Sequence, residues 1–131
     1  MATIFTRIIE GELPCYKIAE DEHHFAFLDI NPMSKGHTLV VPKEETDYVF
    51  DLKDERLQSL MTFAKKIAHG IDRALGTVRT GVIVEGLEVP HAHVHLIPIY
   101  AGKKSFNFSN RPKFSKEEME AIAASIRDSL Q

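Results

Sequence analysis

The stretch HAHVHLIPIY, residues 91–100, carries three histidines on alternate positions and then continues as an apolar run. Successive side chains of an extended strand point to opposite faces of a sheet, so this alternation predicts a strand over 91–100. The three histidines then share one face, while Ala92, Val94 and Leu96 share the other. We expect the apolar face to pack on the core and the histidine face to form the open side of the sheet.

Four further strands are predicted along the chain, at 16–20, 24–29, 37–42 and 80–86. The first three follow one another through short turns or loops. Short connections of this kind favour an antiparallel sheet rather than a parallel one, which needs long crossovers.

Apolar residues at helical spacing predict a short helical segment that begins near Ile4 and a long helix over 52–75 that ends at Gly76. A capping box of Ser115 and Glu118 predicts the start of a C-terminal helix. These amphipathic helices must cover one face of the sheet. The sequence therefore predicts an α+β fold, with an antiparallel sheet of about five strands, one long helix and a C-terminal helix.

Composition and charge bound the class of protein. The 131 residues carry a net charge of −3 at pH 7, which argues against a broad basic surface for nucleic acid. No run of about 18 apolar residues is present to span a membrane, and the N-terminal stretch lacks the apolar core of a signal peptide. Cys15 is the only cysteine, which favours a reducing compartment. We expect a cytoplasmic protein of one domain, residues 1–131, with neither nucleic acid nor membrane as a partner.

Three interpretations of the histidine face remain open from the residues alone. On a flat strand the outer two imidazoles start about 13 Å apart, whereas zinc–nitrogen bonds are about 2.0–2.1 Å long, so three rings cannot easily share one ion. Two of them with an outside ligand could bind a metal. A solvated, histidine-rich surface without chemistry is the second interpretation. Phosphate chemistry is the third and is favoured, because imidazole can act as nucleophile, hydrogen-bond donor or cation near neutral pH.

The sequence resembles the histidine triad (HIT) superfamily of nucleotide hydrolases and transferases in three separate blocks. HAHVHLI, residues 91–97, matches the signature of three alternating histidines followed by two apolar residues. TIFTRIIEGELP, residues 3–14, is similar to the N-terminal segment of the family, and AFLDINPMSKGHTLVVPK, residues 26–43, is similar to its second block. The resemblance covers roughly residues 3–100, the core of a single HIT domain, with a less diagnostic C-terminal loop and helix over 101–131.

The resemblance implies a role for each matching residue. His93 is expected to attack the α-phosphorus, His95 to donate to phosphate oxygens, and the carbonyl of His91 to orient the His93 ring. His37 is expected beside the triad, and Asp29 is expected to contact the ribose hydroxyls. The base pocket is expected to consist of Ile4, Phe5, Ile8, Phe27 and Ile30. Further nucleotide contacts are expected from Thr80, Leu87, Glu88 and Val89.

The chain departs from the family pattern at six positions outside the triad. Thr3 and Thr6 stand where zinc-binding members have a Cys-x-x-Cys pair, so a structural zinc of that type is not expected. No metal ligand is assigned and no cofactor is expected, and binding of a metal by His37 with a triad histidine stays open. Leu87 replaces a glutamine, Thr80 an asparagine or glutamine, Glu88 a serine or threonine, and Ile99 an arginine.

The resemblance implies a nucleotide hydrolase or transferase that works through a nucleotidyl-histidine intermediate on a purine nucleotide. Hydrolysis of adenosine phosphoramidates is favoured. The alternatives are a dinucleoside polyphosphate hydrolase and a nucleotide-binding regulatory protein with little turnover.

Two further expectations concern surfaces. Family members commonly dimerise through the long helix, so a homodimer is expected, with Thr62, Phe63, Lys66 and Ala74 beside the core stripe as candidate contacts. The polar segment 101–114 is either a mobile loop or part of the leaving-group side of the site. Its cations are Lys103, Lys104, Arg111 and Lys113.

Overall fold

The computed structural model describes residues 2–103, 106 and 108–130. Its elements are α1 (Ile4–Ile9), β1 (Lys17–Glu20), β2 (His24–Leu28), β3 (Thr38–Pro42), a 3-10 turn (Val49–Asp51), α2 (Asp54–Leu75), β4 (Arg79–Ile83), β5 (Val94–Ile99) and α3 (Lys116–Ser129). The five strands pair antiparallel in the order β1-β2-β3-β5-β4. The predicted α+β class, the five-stranded antiparallel sheet, the long helix and the C-terminal helix are all confirmed.

The helix ends lie where local chemistry places them. Gly76 ends α2 in the left-handed region at φ 64°, a conformation that costs glycine little because it has no Cβ. Ser115 accepts the backbone N–H of Glu118, and the side chain of Glu118 accepts the backbone N–H of Ser115. This reciprocal pair is the predicted capping box, and it fixes the first turn of α3.

The main core lies between the sheet and the layer of α2 and α3. Alternate residues of β2, β3 and β5 face it, which is the two-residue period of a strand. The strands contribute Ala26, Leu28, Val40, Val94 and Leu96, and the helices contribute Leu60, Ile67, Ile71, Ile122 and Ile126. Val94 and Leu96 thus face the helix layer, as the apolar half of the 91–100 pattern predicts.

The second face of the sheet is not open, contrary to the expectation from the sequence. A smaller apolar cluster of Phe5, Phe25, Phe27, Leu39 and Val41 covers part of it beneath α1. Two of the three triad residues are correspondingly enclosed: His91 is 0% exposed and His93 is 6% exposed. The helix α1 closes this face because its apolar residues pack on the strand residues that point away from the main core.

Strand β5 begins at Val94, so the predicted strand over 91–100 starts too early. Continuing the register of β3 with β5, in which Val40 lies opposite Val94, would put Pro42 opposite Ala92. Proline has no N–H to donate to a ladder. The N–H of Ala92 instead donates to the carbonyl of Thr46 at 2.7 Å, and the chain leaves the sheet.

One of the four candidate dimer contacts on the long helix belongs to the core. Phe63 is 8% exposed and stacks on the His24 ring with centroids 5.0 Å apart, so its prediction as a partner contact is wrong. Thr62 and Lys66 are exposed and Ala74 is half-buried. Lys104 lies outside the described residues. None of the helices over the described ranges combines the length and apolar character needed to cross a membrane.

Candidate active site

A cavity of about 520 Å³ opens beside the triad, within the size range of small-molecule sites. It lies between α1, the loop after β2, the loop after β4 and the start of β5. Twelve of the predicted site residues line it: Ile4, Phe5, Ile8, Phe27, Asp29, Ile30, His37, Leu87, Glu88, Val89, His93 and His95. The fold therefore gathers three distant blocks of the sequence around one space.

Two of the predicted site residues do not line this cavity. His91 is buried behind it. The hydroxyl of Thr80 donates to the Asp72 carboxylate of α2 at 2.9 Å, on the helix side of the sheet. Residues of β4 alternate between the two faces, and Ile83, three positions on, lines the cavity from the other face. The expected nucleotide contact of Thr80 is therefore corrected.

Several residues of the cavity wall were not predicted. They include Cys15, Asn31, Met33, Ile83 and Glu85. The alternation of β4 carried a signal for Ile83 and Glu85, which lie two residues apart on one face. Arg111 also lines the cavity, although it was predicted only as one of four cations in a long segment. Its guanidinium donates to the carbonyl of Asn31 at 2.6 Å, which holds the C-terminal segment against the site.

The ring of His93 is oriented by the backbone two residues earlier. Its Nδ1–H donates to the carbonyl of His91 at 2.8 Å. A carbonyl can only accept, so the proton of the neutral ring is on Nδ1 and Nε2 keeps a lone pair. Phe5 packs edge-on against this ring at 5.0 Å between centroids. The geometry thus provides a fixed, buried imidazole with a nucleophilic nitrogen.

His37 sets the opposite tautomer in His95. The backbone N–H of Met33 donates to Nδ1 of His37 at 3.0 Å, so the proton of the neutral His37 ring is on Nε2. This Nε2–H donates to Nδ1 of His95 at 3.0 Å. His95 must then carry its own proton on Nε2. Next to the lone pair of His93, the site therefore holds an N–H donor on His95.

Burial favours the neutral forms of His37, His91 and His95 by lowering their pKa values. Desolvation lowers the pKa of His37 to about 4, and the neighbouring His95 and Arg111 lower it further while Asp29 opposes them. Desolvation also lowers the pKa of His95, and the neighbouring His93 acts in the same direction. His91 is shifted the same way, first by burial. A neutral ring is what the tautomer of His95 requires.

Asp29 is held where β2 runs into the loop that follows it. Its Oδ1 accepts the N–H of Asn31 at 2.8 Å, and its Oδ2 lies 3.5 Å from Nε2 of His37. The carboxylate lines the cavity and has lone pairs left for ligand hydroxyls. Glu85 and Glu88 add negative charge to the wall, and Arg111 is the single cation among its described residues.

Asp29, His37 and His95 are the one described group whose ligand atoms lie close enough to hold a metal, all within 4.8 Å of one another. Coordination by His37 would need a lone pair on Nε2. Met33 already occupies the lone pair of Nδ1, which leaves the proton on Nε2. The hydrogen bonds therefore fit a relay from Met33 to His95 rather than a cation.

A family model described as the HIT domain matches residues 10–102. The chain belongs to the HIT family. One relative is the adenosine 5'-monophosphoramidase of Schizosaccharomyces pombe, 38% identical over 103 residues that make up 75% of this chain and 74% of the relative. A solved hypothetical histidine triad nucleotide-binding protein from Sulfolobus tokodaii has a TM-score of 0.87 at 32% identity, covering 96% of this chain and 90% of that one. Other relatives are named only as uncharacterized HIT-like proteins.

Another HIT structure, from Mycobacterium smegmatis, is zinc-bound, with a TM-score of 0.86, 28% identity and coverage of 99% of this chain and 94% of that one. The residues here do not fit a zinc site of the Cys-x-x-Cys type. The hydroxyl of Thr3 is 2.7 Å from Nδ1 of His91, and that of Thr6 donates to Glu45. Zinc prefers thiolate, imidazole and carboxylate ligands. A hydrogen-bonded network thus occupies the place of such a metal.

Proposed function

We propose that this HIT protein hydrolyses adenosine phosphoramidates at the α-phosphate through a nucleotidyl-histidine intermediate. The observation that carries the proposal is the pair of opposite tautomers at the cavity wall. His93 offers a lone pair on Nε2, and His95 offers an N–H on Nε2. Nucleophilic substitution at phosphorus needs both, an attacking atom and a donor for the oxygens on which charge develops.

In the first step, Nε2 of His93 forms a bond to phosphorus as the bond from phosphorus to the leaving nitrogen breaks. The leaving nitrogen enters protonated and departs as a neutral amine. Glu88 lines the cavity, and its negative charge favours the protonated form of that nitrogen. The His93 ring becomes cationic, and the carbonyl of His91 stabilises it by accepting its Nδ1–H at 2.8 Å.

In the second step, water attacks the phosphorus and the bond to Nε2 breaks. The electron pair of that bond returns to His93 as its lone pair, and the proton lost by the water leaves through solvent. A nucleoside monophosphate is released. Dividing one displacement into two is the usual gain of covalent catalysis.

The remaining wall suits a purine nucleoside. Phe5, Ile8 and Phe27 offer apolar surface to the base, while the Asp29 carboxylate is placed to accept from ribose hydroxyls. Ile4 and Ile30 are largely exposed at the cavity mouth, where a bound base would cover them. We infer that Leu87 and Val89 border the phosphate side, because they belong to the same loop as Glu88.

A dinucleoside polyphosphate is the second candidate substrate, and Arg111 is the observation that favours it. Its guanidinium makes one hydrogen bond to Asn31 and a weaker one to the carbonyl of Phe108 at 3.4 Å, which leaves donors for a phosphate. Arginine binds phosphate well because its donors are planar and paired. A regulatory nucleotide binder with little turnover is the third candidate, because Leu87 and Thr80 supply no amide near the phosphate.

We propose that the protein acts as a homodimer. Met61, Thr62 and Lys66 are exposed on α2. Strand β4 is at one edge of the sheet, and its exposed Val82 leaves an apolar side chain there. A second copy would cover both features.

The substrate prediction is tested by the ratio of kcat/KM values for an adenylyl amine and for diadenosine tri- or tetraphosphate. We expect the amine to be the better substrate, because Glu88 favours its protonated leaving group. A kcat/KM more than about tenfold higher for the polyphosphate, which corresponds to about 1.4 kcal/mol in transition-state binding, would contradict this assignment. It would favour the dinucleoside polyphosphate, to which Arg111 offers phosphate contacts. Tight nucleotide binding without turnover of either substrate would favour the regulatory protein.

A further inference from the structure

The start of α1 is tied to the loop that follows β3 by the side chain of Glu45. Its carboxylate accepts the backbone N–H of Thr3 at 3.0 Å and the hydroxyl proton of Thr6. The hydrogen bond from Thr6, followed by that from Thr3, lowers the pKa of the Glu45 carboxyl. Thr3 also caps α1, since its side-chain oxygen accepts the N–H of Thr6 at 3.1 Å. Glu45 therefore holds the first turn of α1 from outside the helix.

The same turn reaches the histidine that orients His93. Nε2–H of His91 donates to the carbonyl of Pro42 at 2.7 Å, so Nδ1 of the neutral ring holds a lone pair. The Thr3 oxygen lies 2.7 Å from this nitrogen. The hydroxyl of Thr6 donates to Glu45. The hydroxyl of Thr3 donates to the lone pair of His91 at 2.7 Å rather than to the Thr6 oxygen, which is 3.3 Å away. Each hydrogen bond in this network therefore has one donor and one acceptor, set by the carboxylate of Glu45 at one end and the carbonyl of Pro42 at the other.

Helix α1 contacts the nucleophile on a second side. Phe5, two residues after Thr3, packs edge-on against the His93 ring at 5.0 Å and the His91 ring at 5.7 Å. A movement of α1 would therefore disturb His91, whose carbonyl orients His93, and Phe5, whose ring packs on His93. Glu45 is exposed and does not line the cavity. Its hydrogen bonds reach the site through α1, and its negative charge also acts on His91, where it opposes the lowering of the pKa by burial.

We propose that Glu45 is a positioning residue for the nucleophile, acting through Thr3 on His91 and through Phe5 on His93. It anchors α1 so that the His91 carbonyl and the edge of Phe5 hold the His93 ring in its attacking orientation. The effect on turnover rests on the function proposed above. The effect on the histidine rings stands independently of it.

The turnover arm compares variants that break the network with variants that keep it. We expect Glu45→Ala and Thr3→Ala to lower kcat about tenfold, which corresponds to about 1.4 kcal/mol in the barrier. Thr3→Ser keeps both the hydroxyl and the helix cap and should restore kcat to within about twofold of the native value. Glu44→Ala is the matched control, because Glu44 is the adjacent exposed carboxylate and contacts Thr46 rather than α1. Native kcat in folded Glu45→Ala and Thr3→Ala would overturn the proposal.

The second arm needs no substrate. Imidazole ¹⁵N NMR distinguishes a ring protonated on Nδ1 from one protonated on Nε2. We expect His91 on Nε2 and His93 on Nδ1 in the native protein, with the signals of both rings shifted in Glu45→Ala and Thr3→Ala but not in Glu44→Ala. Unchanged signals in the two network variants would overturn the proposal, whatever the turnover. If the native protein turned over neither substrate, this arm alone would decide, so failure of the function and failure of the network are separable.

Discussion

Each histidine of the site has a different role because each has a different hydrogen-bond partner: backbone groups orient His37, His91 and His93, and the side chain of His37 orients His95. Met33 N–H at one end and the carbonyl of Pro42 at the other fix the tautomers of His37 and His91. The sequence predicted the cluster of histidines and the carbonyl of His91 as the support of His93. It could not give the tautomer of His95, because that depends on contacts between residues far apart along the chain.

Stability should depend on pH through His37. Burial lowers its pKa to about 4, whereas an unfolded histidine titrates near 6.5. Between these pH values the unfolded chain binds a proton that the folded chain excludes, so the unfolding free energy falls as the pH is lowered from about 6.5 to about 4. A depression of this size corresponds to about 3 kcal/mol. Chemical denaturation across this range measures the slope.

Removal of the imidazole isolates this contribution. His37→Gln should flatten the slope, while His69→Gln, at an exposed position of α2, should leave it unchanged. The pKa values of His91, which is buried, and of His95, which is partly buried, are lowered in the same direction, so both residues keep part of the slope in both variants. Equal slopes in His37→Gln and the native protein would show that His37 does not carry the dependence.

At the scale of elements, the two-residue period was a good guide inside strands and a poor one at their ends. It placed Val94 and Leu96 on the core correctly. It wrongly extended β5 to His91. The strand begins later because Pro42 has no N–H to donate and because the N–H of Ala92 donates to Thr46, and both Pro42 and Thr46 lie outside the 91–100 pattern. Thr80 was predicted as a nucleotide contact from the family resemblance and not from the alternation of β4. In the structure its hydroxyl donates to Asp72 of α2, on the helix side of the sheet.

The core face of α2 offers a test of this packing. Phe63 is buried against His24, and its truncation leaves a void that the sheet cannot fill. Phe63→Ala should cost about 3–5 kcal/mol of unfolding free energy. Phe50, which is 67% exposed, is the control, and Phe50→Ala should change stability by less than about 0.5 kcal/mol. Similar losses in the two variants, measured by denaturant titration, would show that Phe63 is not a core residue.

At the scale of the whole molecule, the site depends on chain segments that meet only in the folded protein. The cavity combines α1, the loop after β2, the β4–β5 connection and Arg111 from beyond the sheet. Blocks similar to the HIT family predicted the first three from the sequence. Arg111 was not singled out, because an irregular segment has no periodicity from which to infer its path.

Self-association is the prediction at this scale. Light scattering at micromolar protein should give twice the 14.8 kDa mass of the chain. Thr62→Arg puts a charge on the exposed face of α2 and should yield a monomer, because a twofold interface brings the same residue of both copies together. Lys116→Glu, a change of charge at an exposed position of α3, should leave the mass unchanged. A monomeric native protein would contradict the homodimer.

The central claim is that His93 carries the nucleotidyl group. The most direct measurement is rapid mixing with an adenylyl amine, an alkaline quench that preserves the phosphorus–nitrogen bond, and peptide mapping by mass spectrometry. We predict an adenylyl group on the peptide that contains His93, and none in His93→Gln, whose side chain fills much of the same space in this 6% exposed position but lacks a nucleophilic nitrogen. Adenylylation of a different residue, or turnover by His93→Gln at the native rate, would contradict the claim.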